Sequence, residues 1–156
     1  MEKKNEVLLT QEGLTNLKRE YQELLTAKRP AAVSRLATSR DLGDLTENSE
    51  YAAAREDLAF IDGRISELGE IIREAKIIQI SKNTHKKVDL GCKVTLHVNG
   101  QKEIFTIVGE WEADPTQKKI SHASPLGQAL LNKKVGEKVE VVAPVGKVVY
   151  TILKIE

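Results

Sequence analysis

The chain is expected to fold as α+β, with an N-terminal antiparallel α-helical coiled-coil hairpin followed by an antiparallel sheet domain carrying one short helix. Three observations predict this. Up to Lys76 the apolar residues recur at three- and four-residue intervals, the helical period. After Val88 they fall in short alternating runs rich in Val and Ile, the strand period. Between the two lies the polar stretch "SKNTHKK", Ser81 to Lys87, which suits a linker. Domains are therefore expected at 1–80 and 81–156.

The first helical segment starts near Thr10, a residue type that caps helix N-termini well. Leu14, Leu17, Tyr21 and Leu24 follow in three-four spacing. Leu25, Ala32 and Leu36 then carry the seam, shifted around Pro30. A proline inside a helix removes a hydrogen bond and kinks the chain, so an irregularity is expected there, with helix resuming to about Arg40. In the second segment Tyr51, Ala54, Leu58, Ile61, Ile65, Leu68, Ile72 and Ala75 hold an a/d seam for over three heptads, the coiled-coil pattern. Gly63 and Gly69 lie off this seam and cost about 1 kcal/mol each relative to Ala, so a tertiary partner must compensate. A short Gly-containing loop between two such helices makes them antiparallel neighbours. At the helical rise the hairpin is roughly 45 Å or more in length.

In the second half, "KVTLHV" (Lys93 to Val98) and "KEIFTIV" (Lys102 to Val108) flank Asn99-Gly100, a strong hairpin signal. Ser124 and Pro125 are placed as N-cap and first residue of a short helix. "KVEVVA" (Lys138 to Ala143) and "VVYTILKI" (Val148 to Ile155) flank a turn at Pro144-Val145-Gly146.

Composition narrows the function classes. With 24 basic and 23 acidic residues the charge is nearly balanced, which argues against bulk electrostatic binding of nucleic acid. The single cysteine, Cys92, excludes an intramolecular disulfide and disfavours a Cys-based metal site. A reducing cytoplasm is the expected setting. No apolar run is long enough to span a bilayer, and the start "MEKKNEVLLTQEG" lacks a signal-peptide core. A cytoplasmic chain with no membrane partner is expected.

The chemistry-bearing stretch is "RDLGDLTENSEY", Arg40 to Tyr51, at the tip of the hairpin. Two readings compete. In one, Asp44 is a helix N-cap and Glu47, three residues on, completes a capping box. In the other, carboxylates drawn from Asp41, Asp44, Glu47 and Glu50 complete a Mg²⁺ site whose remaining ligands belong to a partner. Mg²⁺ commonly takes only one or two carboxylates, with waters and phosphates filling the rest. Of the basic residues nearby, Lys28, Arg29 and Arg64 read as a solvated face. Arg40 and Arg55 flank the acids and are better placed for RNA phosphate. His85, His97 and His122 show no metal-ligand spacing. Trp111 is expected in a core or at a domain contact, and Cys92 at a strand edge.

"GDLTENSEYAAAREDLAFIDGRISEL", Gly43 to Leu68, resembles the signature of the Gre transcript-cleavage factors of bacterial RNA polymerase. It has the family's Gly-Asp-Leu-x-Glu-Asn-x-Glu-Tyr core and the following Arg-Ile pair, Arg64-Ile65. "SHASPLGQALLNKKVGEKVEV", Ser121 to Val141, resembles the family's C-terminal signature, so the likeness spans essentially the whole chain. It implies an N-terminal coiled coil and a C-terminal FKBP-like domain that docks on RNA polymerase, without implying prolyl isomerase activity. It further implies that the coiled coil enters the polymerase secondary channel and stimulates Mg²⁺-dependent cleavage of backtracked RNA by the polymerase itself. On this resemblance Asp44 and Glu47 act in trans at the polymerase active centre and share a Mg²⁺ with it. Arg40 and Arg55 would contact the 3′ segment of the backtracked RNA, the free protein would hold no cofactor, and the chain would be a monomer. The short basic cluster is more like the family branch that makes short cleavage products than the branch with a long basic patch. Two rivals remain open: a channel-binding relative that inhibits the polymerase, and a structural coiled-coil module.

Overall fold

The computed structural model describes residues 6–43, 48–79 and 86–156. The chain divides into two compact units: Leu14–Glu74, and Met1–Gly13 together with Ala75–Glu156. These boundaries fall at 13/14 and 74/75, beside the division at 80 and 81 expected from the change of period. Strand β1 (Val7–Leu9) pairs in parallel with β2 (Ala75–Ile77), Val7 opposite Ala75 and Leu9 opposite Ile77. The Ile78 N–H extends the pairing by donating to the Leu9 carbonyl at 2.8 Å. Strands from either side of the helical segment therefore belong to one unit, and Ala75, read from the sequence as the last seam residue, begins a strand instead.

The helical unit contains α1 (Gln11–Glu23, whose first turn belongs to the other unit), α2 (Arg29–Arg40) and α3 (Ser49–Glu74). Between α1 and α2, Leu24–Lys28 form a single π turn, in which the Arg29 N–H reaches back five residues to the Leu24 carbonyl. This is the irregularity expected at Pro30, placed just before it. Its physical effect is one extra residue in the helix. The seam Leu14, Leu17, Tyr21, Leu24 would continue at 28, 31 and 35. Instead Lys28, Ala31 and Arg35 are exposed, while Ala32 and Leu36 are half-buried and Ser39 is buried. Leu25, expected on the shifted seam, falls inside the π turn and is exposed. On α3 the buried positions are Ala54, Leu68 and Ile71, with Leu58, Ile61 and Ile65 half-buried, as a two-helix pairing demands.

The other unit is built on a five-stranded sheet of order β5-β4-β3-β7-β6. Its strands are β3 (Lys93–Val98), β4 (Gln101–Val108), β5 (Lys119–Ser121), β6 (Lys138–Ala143) and β7 (Gly146–Ile155). Asn99 and Gly100 both have positive φ, 50° and 78°, the geometry of the two-residue turn expected between β3 and β4. The sheet is antiparallel except that β5 joins β4 in parallel. Helix α4 (Pro125–Leu130) is capped as expected, Ser124 Oγ accepting from the Gly127 N–H at 3.0 Å. Leu130 enters a core made by Val88, Cys92, Val94, Leu96, Ile107, Val139 and Ile152. Cys92 is thus a core residue rather than an edge one, and burial pushes its thiol pKa up. Trp111 is 44% exposed and does not belong to the core. Among the described residues no helix is long and apolar enough to cross a membrane.

At the start of α1 the sheet-bearing unit grips the helix cap. Glu112 accepts from the Thr10 N–H at 2.7 Å and from the Thr10 hydroxyl at 2.5 Å, while Thr10 Oγ1 accepts from the Gly13 N–H at 3.0 Å. A Cβ at Gly13 would lie 2.0 Å from the Glu112 carboxyl carbon, so only glycine lets the carboxylate reach the cap.

Candidate functional site

The tip of the hairpin lies between the end of α2 and the start of α3. Helix α2 closes through Asp41, whose N–H donates to Thr38 at 3.2 Å, and Leu42, whose N–H donates to Ser39 at 3.3 Å. Gly43, at φ 138°, takes a conformation that suits glycine. Asp44 and Glu47 lie outside the described residues.

The cap of α3 is Asn48. Its Oδ1 accepts from the Tyr51 N–H at 3.0 Å, and its Nδ2 donates across to the Ser39 carbonyl at 2.7 Å. The capping-box reading rests on Asp44 and Glu47, which lie outside the described residues; α3 itself begins at Ser49 and draws its cap from the residue before it. The signal is present in the sequence, since Asn is among the best capping residues, alongside the competing acids upstream. Asn48 also does what a cap alone would not, because its second group fastens the two helices together beside the tip.

Of the two described candidate carboxylates, Asp41 ends α2, and Glu50 accepts from Arg35 Nε at 2.7 Å. That hydrogen bond, with the Arg35 charge, holds the Glu50 carboxyl below its ordinary pKa. Glu50 is already engaged by a cation of its own chain, which disfavours it as a free metal ligand. Among the described residues no group of three His, Cys, Asp or Glu side chains is placed to hold a metal ion.

The basic residues of the hairpin separate into two classes. Arg29 pairs with Asp62 at 2.7 Å. Arg35 pairs with Glu50 and Asp57. Arg64 pairs with Glu20 at 2.8 Å and Glu67 at 2.6 Å. These charges are spent within the hairpin. Arg40 and Arg55 are exposed and have no carboxylate partner among the described residues. Tyr51 brings them onto neighbouring ground: the Arg40 guanidinium stands 5.9 Å from its ring centroid, and Tyr51 and Arg55 line one shallow groove with Ala52, Glu56 and Ala59. A half-buried aromatic ring near two arginines that lack a carboxylate partner among the described residues suits an anionic strand, phosphates to the cations and a planar group to the ring. Sequence reasoning singled out the two arginines and assigned Tyr51 only to the seam.

Comparison with known proteins bears on the same regions. Residues 7–77 match the family described as "Transcription elongation factor, N-terminal", and residues 83–156 match "Transcription elongation factor, GreA/GreB, C-term". The chain is 45% identical over 150 residues to the transcription elongation factor GreA of Lactococcus lactis subsp. lactis, covering 95% of this chain and 96% of that one. It is 44% identical over 138 residues to the GreA of Oenococcus oeni, covering 87% and 85%. Among solved structures, the GreA factor homolog 1 (Gfh1) protein of Thermus thermophilus aligns at 29% identity with a TM-score of 0.45, over 97% of this chain and 99% of that one.

Proposed function

The chain belongs to the GreA/GreB family of transcription elongation factors, and from that premise we propose that it stimulates RNA cleavage by RNA polymerase. In this reading the hairpin enters the polymerase secondary channel, the sheet-bearing unit docks outside, and the polymerase cuts its own backtracked transcript. The observation that carries the proposal is the motif Gly43-Asp44-Leu45-Thr46-Glu47-Asn48-Ser49-Glu50-Tyr51, set where one helix of a hairpin gives way to the next. Asn48 supplies the cap of α3.

Asp44 and Glu47 are the residues that would share a Mg²⁺ with the polymerase; hard oxygen donors in so small a number suit that ion when a partner supplies the remaining ligands. When bound there, a second metal ion stabilises the attacking and leaving oxygens of a phosphodiester in hydrolysis. The chain's own part is delivery and orientation. The hairpin carries the acids, Asn48 and Arg35 fasten α2 to α3 next to them, and Arg40 and Arg55, without a carboxylate partner among the described residues, offer charge to the RNA 3′ segment. Docking of the sheet-bearing unit raises the effective concentration of the tip at the active centre.

The test is RNA cleavage in a stalled, backtracked elongation complex. Asp44→Asn removes the charge but little else. It should bind polymerase as wild type does and lower stimulated cleavage at least about tenfold, equivalent to about 1.4 kcal/mol. Undiminished cleavage with Asp44→Asn removes the metal role for that residue. Wild-type chain that binds and suppresses cleavage replaces the proposal with an inhibitor.

A further inference from the structure

Arg35 stands at a position the seam of α1 would have buried. Counting on from Leu14, Leu17, Tyr21 and Leu24 in three-four steps reaches residue 35. The extra residue in the π turn at Leu24–Lys28 rotates everything after it by about 100°, one residue's share of a helical turn. The seam passes to Ala32, Leu36 and Ser39, and Arg35 emerges at its border. There one guanidinium spans two carboxylates of α3, Nε donating to Glu50 at 2.7 Å and Nη1 to Asp57. Glu50 and Asp57 are seven residues apart, two turns or about 10 Å along the helix. A planar fork reaches both in a way a point charge on a lysine does not.

The fork acts on a particular place. Glu50 lies in the first turn of α3, two residues after the cap Asn48. Asn48 makes the neighbouring tie, to the Ser39 carbonyl. Together these ties fix where α3 begins relative to the end of α2, directly beside the chain segment that carries Asp44 and Glu47.

We propose that Arg35 is a positioning residue for the tip, holding the first turn of α3 against α2 through Glu50 and Asp57 so that the adjoining acidic segment is presented from a fixed base. Its effect on cleavage rests on the function proposed above, whereas its effect on the start of α3 does not. Arg35 touches neither metal nor RNA in this reading.

The experiment uses the full chain with Arg35→Met, which keeps the apolar stem, with Glu50→Gln, and with both. The first measurement is amide hydrogen exchange in the free protein. Arg35→Met should speed exchange of the Tyr51 and Ala52 amides at least threefold, leave amides near Leu17 and Leu68 unchanged, and lose much of its effect in 1 M salt, where exposed charges are screened. Glu50→Gln should shift the same amides, and the double variant should add little to Arg35→Met alone. Unchanged exchange at Tyr51 and Ala52, or an equal rise along the whole hairpin, overturns the positioning role. The second measurement is cleavage in a backtracked complex: Arg35→Met should lower the maximal stimulated rate without raising the half-saturating protein concentration. If wild type stimulates but Arg35→Met does so equally well, the role in presentation is overturned. If wild type itself does not stimulate, the functional reading fails, and the exchange measurement still decides the positioning role.

Discussion

Asn48 donates to the Ser39 carbonyl and accepts from the Tyr51 amide, so truncating it breaks a cap and a cross-hairpin tie together. Asn48→Ala should lower stability by about 1–2 kcal/mol, the range for losing a good N-cap. Asn48→Asp keeps the acceptor but not the donor and should fall between Ala and wild type. Asp44→Ala, by contrast, should change stability by no more than about 0.5 kcal/mol if the cap of α3 rests on Asn48 alone. Denaturant unfolding of the three variants checks this; a loss for Asp44→Ala as large as that for Asn48→Ala would return the cap to Asp44. At this scale the sequence was legible in kind but not in assignment. Arg40 and Arg55 stood out because they flank the acids. What sequence could not show is that Arg29, Arg35 and Arg64 have carboxylates across or along the hairpin while those two have none among the described residues. Partnering is a property of facing helices, and it depends on a register that one proline-adjacent turn can shift.

At the scale of elements, that shift is the π turn. If its role is to absorb one residue, then deleting Ala27 together with Pro30→Ala should convert Leu24–Arg29 to ordinary α-helix with both halves of the seam still facing α3. The variant should melt no lower than wild type, since it exchanges an irregular turn and a helix-interior proline for regular hydrogen bonds. Deleting Ser34 from the regular part of α2 should instead lower the melting temperature markedly, because it turns Leu36 and Ser39 off the seam. Thermal unfolding followed by circular dichroism separates the two cases. The long periodic helices and the strands on either side of Asn99-Gly100 were readable because each repeats a local signal. The three-residue strands β1, β2 and β5 were not. Each is too short to show a period, and β1 and β2 exist through pairing between residues 7–9 and 75–77. Cys92 was likewise misplaced, and Trp111 is not in the core, because apolar character alone does not say which side chain the core admits.

For the molecule as a whole, β1 and β2 run parallel, and a parallel pair needs a crossover connection. Here the crossover is the entire helical hairpin. The sheet-bearing unit is accordingly discontinuous in sequence, with Thr10 held by Glu112 as a further closure. A chain in which residues 14–74 are replaced by a flexible linker of about 15 residues, enough for a parallel crossover, should fold cooperatively and melt above a chain that begins at residue 80. Equal melting temperatures would mean that β1 and β2 contribute nothing to that unit. The same topology sets an order on synthesis, in which the chain leaves the ribosome from its N-terminus. Strand β1 emerges first but has no partner until the hairpin has followed it and Ala75 to Ile77 are exposed. Thr10 waits longer still, for Glu112. The two helices can pair while the nascent chain is still tethered, and the start of α1 is fastened only after Glu112 has emerged, so a chain released before that point would carry paired helices on an open base.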